Sequence, residues 1–171
     1  EYDGNINKLI EATKIANDIL MDENFYQKIS EKGSFDMATC TPRVISDYIK
    51  THRNTLTCNV KTYRRSFSRA LAYYTSSRPN DININTAKIN RSTGSIVATY
   101  IHEYIHMIDD IVDDHYFGHG DNKRKGKLNT APYWIDNLSQ SIVTGVTDFK
   151  NSESSNIVYK RSFFSIISSL F

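Results

Sequence analysis

Thr99 to Gly120 reads T-Y-I-H-E-Y-I-H-M-I-D-D-I-V-D-D-H-Y-F-G-H-G, and within it His102, Glu103 and His106 form His-Glu-x-x-His. Residues four apart on a helix stand one above the other, so imidazoles at 102 and 106 can grip one tetrahedral ion from the same side. The carboxylate next to the first histidine then lies beside the ion's open position, where a general base for a metal-activated water has to be. With His102 set at zero on a wheel of about 100° per residue, His106 falls near 40° and Glu103 near 100°. Val97, Tyr100, Ile101, Tyr104, Ile105, Ile108, Ile111 and Val112 fall between roughly 160° and 300°, an apolar stripe on the other side. A histidine that only fills a core belongs on that stripe, and these two do not. The other plain reading is a chance match on a solvated face. Histidine placement argues against it, because His102, His106, His115 and His119 crowd into this stretch and only His52 lies elsewhere.

Upstream, Arg78-Pro79-Asn80 reads as a turn. Asp81 to Thr86 then alternates Ile82 and Ile84 against Asp81, Asn83 and Asn85, which predicts a strand with one buried and one wet face. Ser92-Thr93-Gly94-Ser95 is a loop and cap, with the histidine helix beginning near Ile96. An exposed strand edge beside a metal can pair an extended peptide and hold its scissile carbonyl over the ion.

Downstream, a third ligand is needed, because a catalytic zinc takes three from the protein and leaves one position to water. A helix unbroken to His115 would turn that side chain to about 220°, away from the other two, so His115 is a poor candidate. Gly118 is expected to end the helix, letting His119, between Gly118 and Gly120, turn back to the ion. Asp136 is the second candidate. It lies on a helix predicted from Asn129-Thr130 ahead of Pro132, with Tyr133, Trp134, Ile135, Leu138, Ile142 and Val143, where the plain alternative is a polar position on an amphipathic face. Asp109 and Asp113 extend the histidine face as prospective partners for imidazole N–H groups, while Asp110 and Asp114 are expected to meet solvent.

Outside this region, Ile6 to Ile29 predicts one or two helices stopping by Gly33, and Thr41-Pro42 starts another that ends near His52. His52, beside Arg53 at a helix end, reads as a cap or surface residue. Thr55 to Tyr74 favours strand, with a helical stretch around Arg65 to Leu71 as the alternative. There Lys61, Arg64, Arg65 and Arg69 interleave with Tyr63 and Phe67, either a solvated basic face or a grip for nucleic acid. The tail Phe163 to Phe171 reads as a packing helix or strand.

A chain of 171 residues fits one domain able to bury a core. Its net charge of +2 does not by itself imply a polyanionic partner. Cys40 and Cys58, with no C-x-x-C, indicate neither a disulfide scaffold nor a Cys-rich zinc site. No apolar run reaches the roughly 18 residues of a membrane span. The start at Glu1, with no Met or signal-like segment, reads as a processed product or an excised piece, and no compartment follows from it; secreted or virus-borne origins stay open.

At His102-Glu103-Tyr104-Ile105-His106 the chain resembles the zincin metallopeptidases. It lacks the metzincin extension, which would put Gly at Asp109 and His at Val112, and a thermolysin-type glutamate ligand, since the only Glu after His106 is Glu153. Over roughly residues 72–120 it is most similar to the SprT-like group, including the Spartan proteases. There a strand and loop lead into the motif, and a third His follows in a Gly-His-Gly context. Lys123 stands where that group usually has an aromatic residue. The resemblance implies cleavage of protein attached to DNA, which the basic residues 61 to 69 and 123 to 127 would suit.

The expectation is a single α+β, zincin-like domain over 1–171, with a small mixed sheet packed on a metal-binding helix, further helices, and the metal site within 96–120. One Zn2+ would sit on His102, His106 and His119, with Glu103 as base and a protein or peptide as substrate. Two alternatives stay open. One is an inactive zincin-like module that binds metal, nucleic acid or a partner protein, with Asp136 as a fourth ligand. The other is a metal-free helical interaction domain.

Overall fold

Helix starts follow the capping chemistry of the sequence. The computed structural model describes residues 2–121 and 124–146; the tail, Lys123 and Glu153 lie outside the described residues. Helix α1 (Tyr2–Met21) breaks at Asp22, whose carboxylate accepts from the Asn24 amide at 2.9 Å and starts α2 (Glu23–Ser30). Thr41 caps α3 (Pro42–His52), with Pro42 in the first turn, where its missing N–H costs nothing. At its far end His52 bonds through Nδ1 to the Tyr48 carbonyl at 2.8 Å, and so serves the helix terminus. Between α2 and α3 the buried Ser46 hydroxyl donates to the Tyr26 carbonyl at 2.9 Å.

Three strands form a mixed sheet in the order β1 (Asn59–Tyr63), β3 (Asp81–Asn85), β2 (Ala72–Tyr73). β3 runs parallel to β1 and antiparallel to β2, with Ile82 opposite Val60 and Ile84 opposite Ala72. The fold is therefore α+β with a small mixed sheet. Residues 64–71 form a loop rather than a helix, because Asn85 captures their backbone. Its side chain accepts from the Arg65 amide at 3.0 Å and donates to the Arg65 and Ala70 carbonyls at 2.9 and 3.1 Å. That loop also overturns the expected wet face of β3. Asn83 and Asn85 are buried, since the strand is central and covered on both sides. β3 is accordingly not an edge; β1 and β2 are.

Ser92 caps α4 (Thr93–Ile111), accepting from the Ser95 amide at 3.2 Å, so the helix starts three residues earlier than Ile96. It ends at Ile111, where Val112 turns extended, and not at Gly118. Thr130 and Pro132 open α5 (Ala131–Thr144), and Gly145, at φ 67°, closes it in the left-handed conformation that glycine tolerates. α5 packs along α4, and the fit is tight at Gly94. A Cβ there would stand 3.0 Å from Thr144 Cγ2.

On the opposite side, the apolar stripe of α4 meets α1 and the sheet. Ile96, Ile101, Ile105 and Ile108 are fully buried in a core that runs from Leu9 to Leu138, and the Tyr100 hydroxyl donates to the Leu9 carbonyl at 3.4 Å. The histidine face is thus covered as well, by α5 rather than by core stripe. His102 and Glu103 are each only 9% exposed. Among the described residues no helix is long and apolar enough to cross a membrane.

Candidate metal centre

Helical spacing brings His102 and His106 together, with ring centroids 5.0 Å apart. His119 arrives on the loop after α4, and that loop is shaped by anchors at several points. Asp109 accepts from the Phe117 amide at 2.6 Å, and the Gly118 amide faces the same carboxylate. Phe117 is fully buried, stacked against Tyr48. Gly118 passes so close to Asp109 that a Cβ would lie 2.8 Å from its Oδ2. The Tyr116 hydroxyl accepts from the Gly120 amide at 2.8 Å. A distant segment completes the frame. The Thr39 amide donates to the Tyr116 carbonyl at 2.8 Å, the Tyr116 amide donates to the Thr39 hydroxyl at 2.8 Å, and Asn129 pairs with Asp36. Asp109 therefore holds the loop and does not serve an imidazole; Asp113 is exposed and serves none either.

The outcome is convergence. His119 Nε2 lies 3.1 Å from His102 Nε2 and 2.9 Å from His106 Nε2, and one ligand atom from each of the three lies within 4.8 Å of the others. The His102–His119 contact is not a satisfied hydrogen bond, as the far sides of those two rings show. His102 Nδ1–H donates to Asp136 Oδ2 at 2.8 Å, and His119 Nδ1–H donates to the Asp121 carbonyl at 3.0 Å. A neutral imidazole has one N–H, so both Nε2 atoms present lone pairs to each other. The rings are neutral: burial, with the charge of Arg124, pushes His102 down to about 4. Burial and the neighbouring imidazoles push His106 to about 3, and His119 is lowered in the same way. Lone pairs aimed at one point repel unless a cation lies between them. Three nitrogens on a tetrahedral zinc at 2.0–2.1 Å would stand roughly 3.3 Å apart, close to what is seen. The three histidines could hold a metal ion.

Asp136 lies outside the group of side chains that could share an ion. α5 aims its carboxylate at the far nitrogen of His102, an outer position that fixes the tautomer and makes the ring a better donor. Tyr133, one turn before it, places its ring 4.8 Å from His119, nearly parallel, and 4.6 Å from His102. Arg124 lies over that tyrosine at 5.6 Å. The sequence reading missed the roles of Asp136 and Arg124. The one signal for Asp136 was its spacing of three from Tyr133, which puts both on one helix face. Asp136→Asn is expected to keep the fold and weaken metal binding by about 10–100-fold, read by competition against a chromophoric chelator.

Glu103 is buried beside the histidines, and burial, reinforced by Asp136, pushes its carboxyl up to about 7. The backbone amide of Tyr74, just past β2, opposes that shift by favouring the charged form. Tyr74 is tied down by its own hydroxyl, which donates to Asp110 Oδ2 at 2.7 Å. Asp110 is exposed yet has this partner, while Asp114 is exposed. His115 lies against Tyr48, 5.9 Å between rings, and stays out of the cluster. Cys40 and Cys58 are both free thiols. No protein-family model, curated protein or solved structure matches the chain.

Proposed function

We propose that the chain is a zincin-type zinc metallopeptidase, with one Zn2+ held by His102, His106 and His119 and with Glu103 as general base. The observation that carries this reading is the convergence of three neutral imidazoles, each with a ring nitrogen close to the others, beside one buried carboxylate. Zinc in such a site acts as a Lewis acid, which acidifies a water and polarises a carbonyl. Glu103 takes the proton of the attacking water and returns it to the leaving amine, a task suited to a carboxyl whose pKa lies near neutrality. Asp136 keeps His102 in the tautomer that offers Nε2. Tyr133, lying against two of the three imidazoles, brings a phenolic O–H to the same place, where an oxyanion would need a donor.

The substrate strand has a natural seat. β2 is an edge of the sheet and leads directly to Tyr74 beside Glu103, so an extended peptide paired along it would run past the base. The Gly118-His119-Gly120 setting of the third ligand supports the SprT-like group among zincins.

Purified protein is expected to carry one zinc per chain by elemental analysis and to cut an unstructured protein substrate. Chelation should abolish cleavage, and added zinc should restore it. Tight binding of one ion with no cleavage of any peptide would instead mark the domain as a metal-binding module.

A further inference from the structure

Two sets of cations lie on elements that lead to the histidine cluster. The first is the 64–71 loop, where Arg64, Arg65 and Arg69 are exposed and make no ion pair with any described residue. At its crest Phe67 is fully exposed, and Leu71 and Tyr73 are each 41% exposed. Lys88 joins this face by donating to the Ser66 carbonyl at 3.0 Å. The loop feeds straight into β2, so at about 3.3 Å per residue Arg69 stands no more than roughly 17 Å along the chain from Tyr74 at Glu103. Tyr63 and Tyr73, rings 5.2 Å apart, fill the interval, and the Tyr63 phenol feels the charges of both Glu103 and Arg65.

The second is Arg124, exposed over Tyr133, likewise without an ion pair to a described residue. Its charge is felt at His102 and Asp136.

The acids around the centre each have a hydrogen-bond partner, though only Asp121 has a standing cation for it. Asp109 holds loop amides, Asp110 takes the Tyr74 hydroxyl, Asp121 pairs with Lys127 and Asp136 with His102. Asp113 and Asp114 are exposed beyond the end of α4.

We propose that the substrate is an acidic polypeptide, with Asp or Glu within a few residues of the scissile bond and an apolar side chain for the Phe67, Leu71 and Tyr73 surface. Carboxylates near the cut meet Arg124 at the tyrosine, and those further along β2 meet Arg64, Arg65 and Arg69. This rests on the peptidase reading and narrows its substrate class. A polynucleotide fits less well. Its backbone is charged at every nucleotide and needs cations strung along its path, whereas here Arg64, Arg65, Arg69 and Lys88 gather on one loop face and Arg124 stands apart over Tyr133.

The test uses zinc-loaded protein and three fluorogenic peptides that differ only in carrying Glu, Gln or Lys flanking the cleaved bond. The Glu peptide is expected to exceed the Gln peptide about tenfold and the Lys peptide about a hundredfold in kcat/KM at low salt, with the gap shrinking as salt rises. Arg65→Glu and Arg124→Glu should each cut the preference at least about threefold, by slowing the Glu peptide and speeding the Lys peptide. Equal rates for all three peptides overturn the acidic-substrate proposal and leave the peptidase standing. No cleavage of any peptide by protein with zinc bound overturns both. A separate arm measures fluorescence anisotropy with Glu103→Gln protein. If a single-stranded oligonucleotide binds at least about tenfold tighter than the acidic peptide and Arg65→Glu removes that binding, the face belongs to nucleic acid and the proposal fails.

Discussion

Glu103→Gln is expected to bind zinc as the parent does and to hydrolyse peptide at least about a thousandfold more slowly, within the range general-base groups contribute. The substitution changes almost nothing but basicity. Gln has the same shape, and the Tyr74 amide that faces the carboxylate can face the amide oxygen instead. Burial raises this carboxyl to about 7, so the charge that the substitution removes is one the site favours only weakly. The fold should therefore hold, and zinc stoichiometry by elemental analysis provides the control. A loss of only a fewfold in kcat/KM, with metal intact, would place the base elsewhere.

His119→Ala is expected to lower zinc affinity by more than the roughly 10–100-fold assigned to an outer partner such as Asp136. On the proposed ligand set it would remove a donor from the ion itself, leaving two imidazoles on one helix face. Its melting temperature should also stop responding to chelators, since an ion stabilises the native state only as far as it binds it. His115→Ala supplies the contrast. Its ring packs on Tyr48, away from the cluster, so zinc affinity should be unchanged. A His119→Ala protein that still held one zinc tightly would remove this residue from the ligand set.

These expectations reach back to the sequence unevenly. His102, Glu103 and His106 were legible because a helix fixes the relative directions of near neighbours, and that rule needs no tertiary knowledge. His119 was legible as a residue freed between two glycines, though by another route. The helix stops at Ile111 because Asp109 pulls the Phe117 and Gly118 amides back toward it, a contact across a turn that no helical wheel contains. Asp136 could be placed on a helix but not at His102, since only the docking of α5 on α4 decides which nitrogen it meets. The alternation of 81 to 85 correctly gave a strand, yet burial of Asn85 depends on a loop that folds over it. Periodicity reports direction along an element, while cover comes from elsewhere in the chain.

The tie between Thr39 and Tyr116 joins residues 77 apart, and Asp36 reaches Asn129 on the other flank of the same turn. Grafting residues 93–121 onto a foreign scaffold would transplant the signature and leave behind what steers its last histidine. A single proteolytic nick between α2 and α3 would likewise spare all three histidines and slacken the arm that carries one of them.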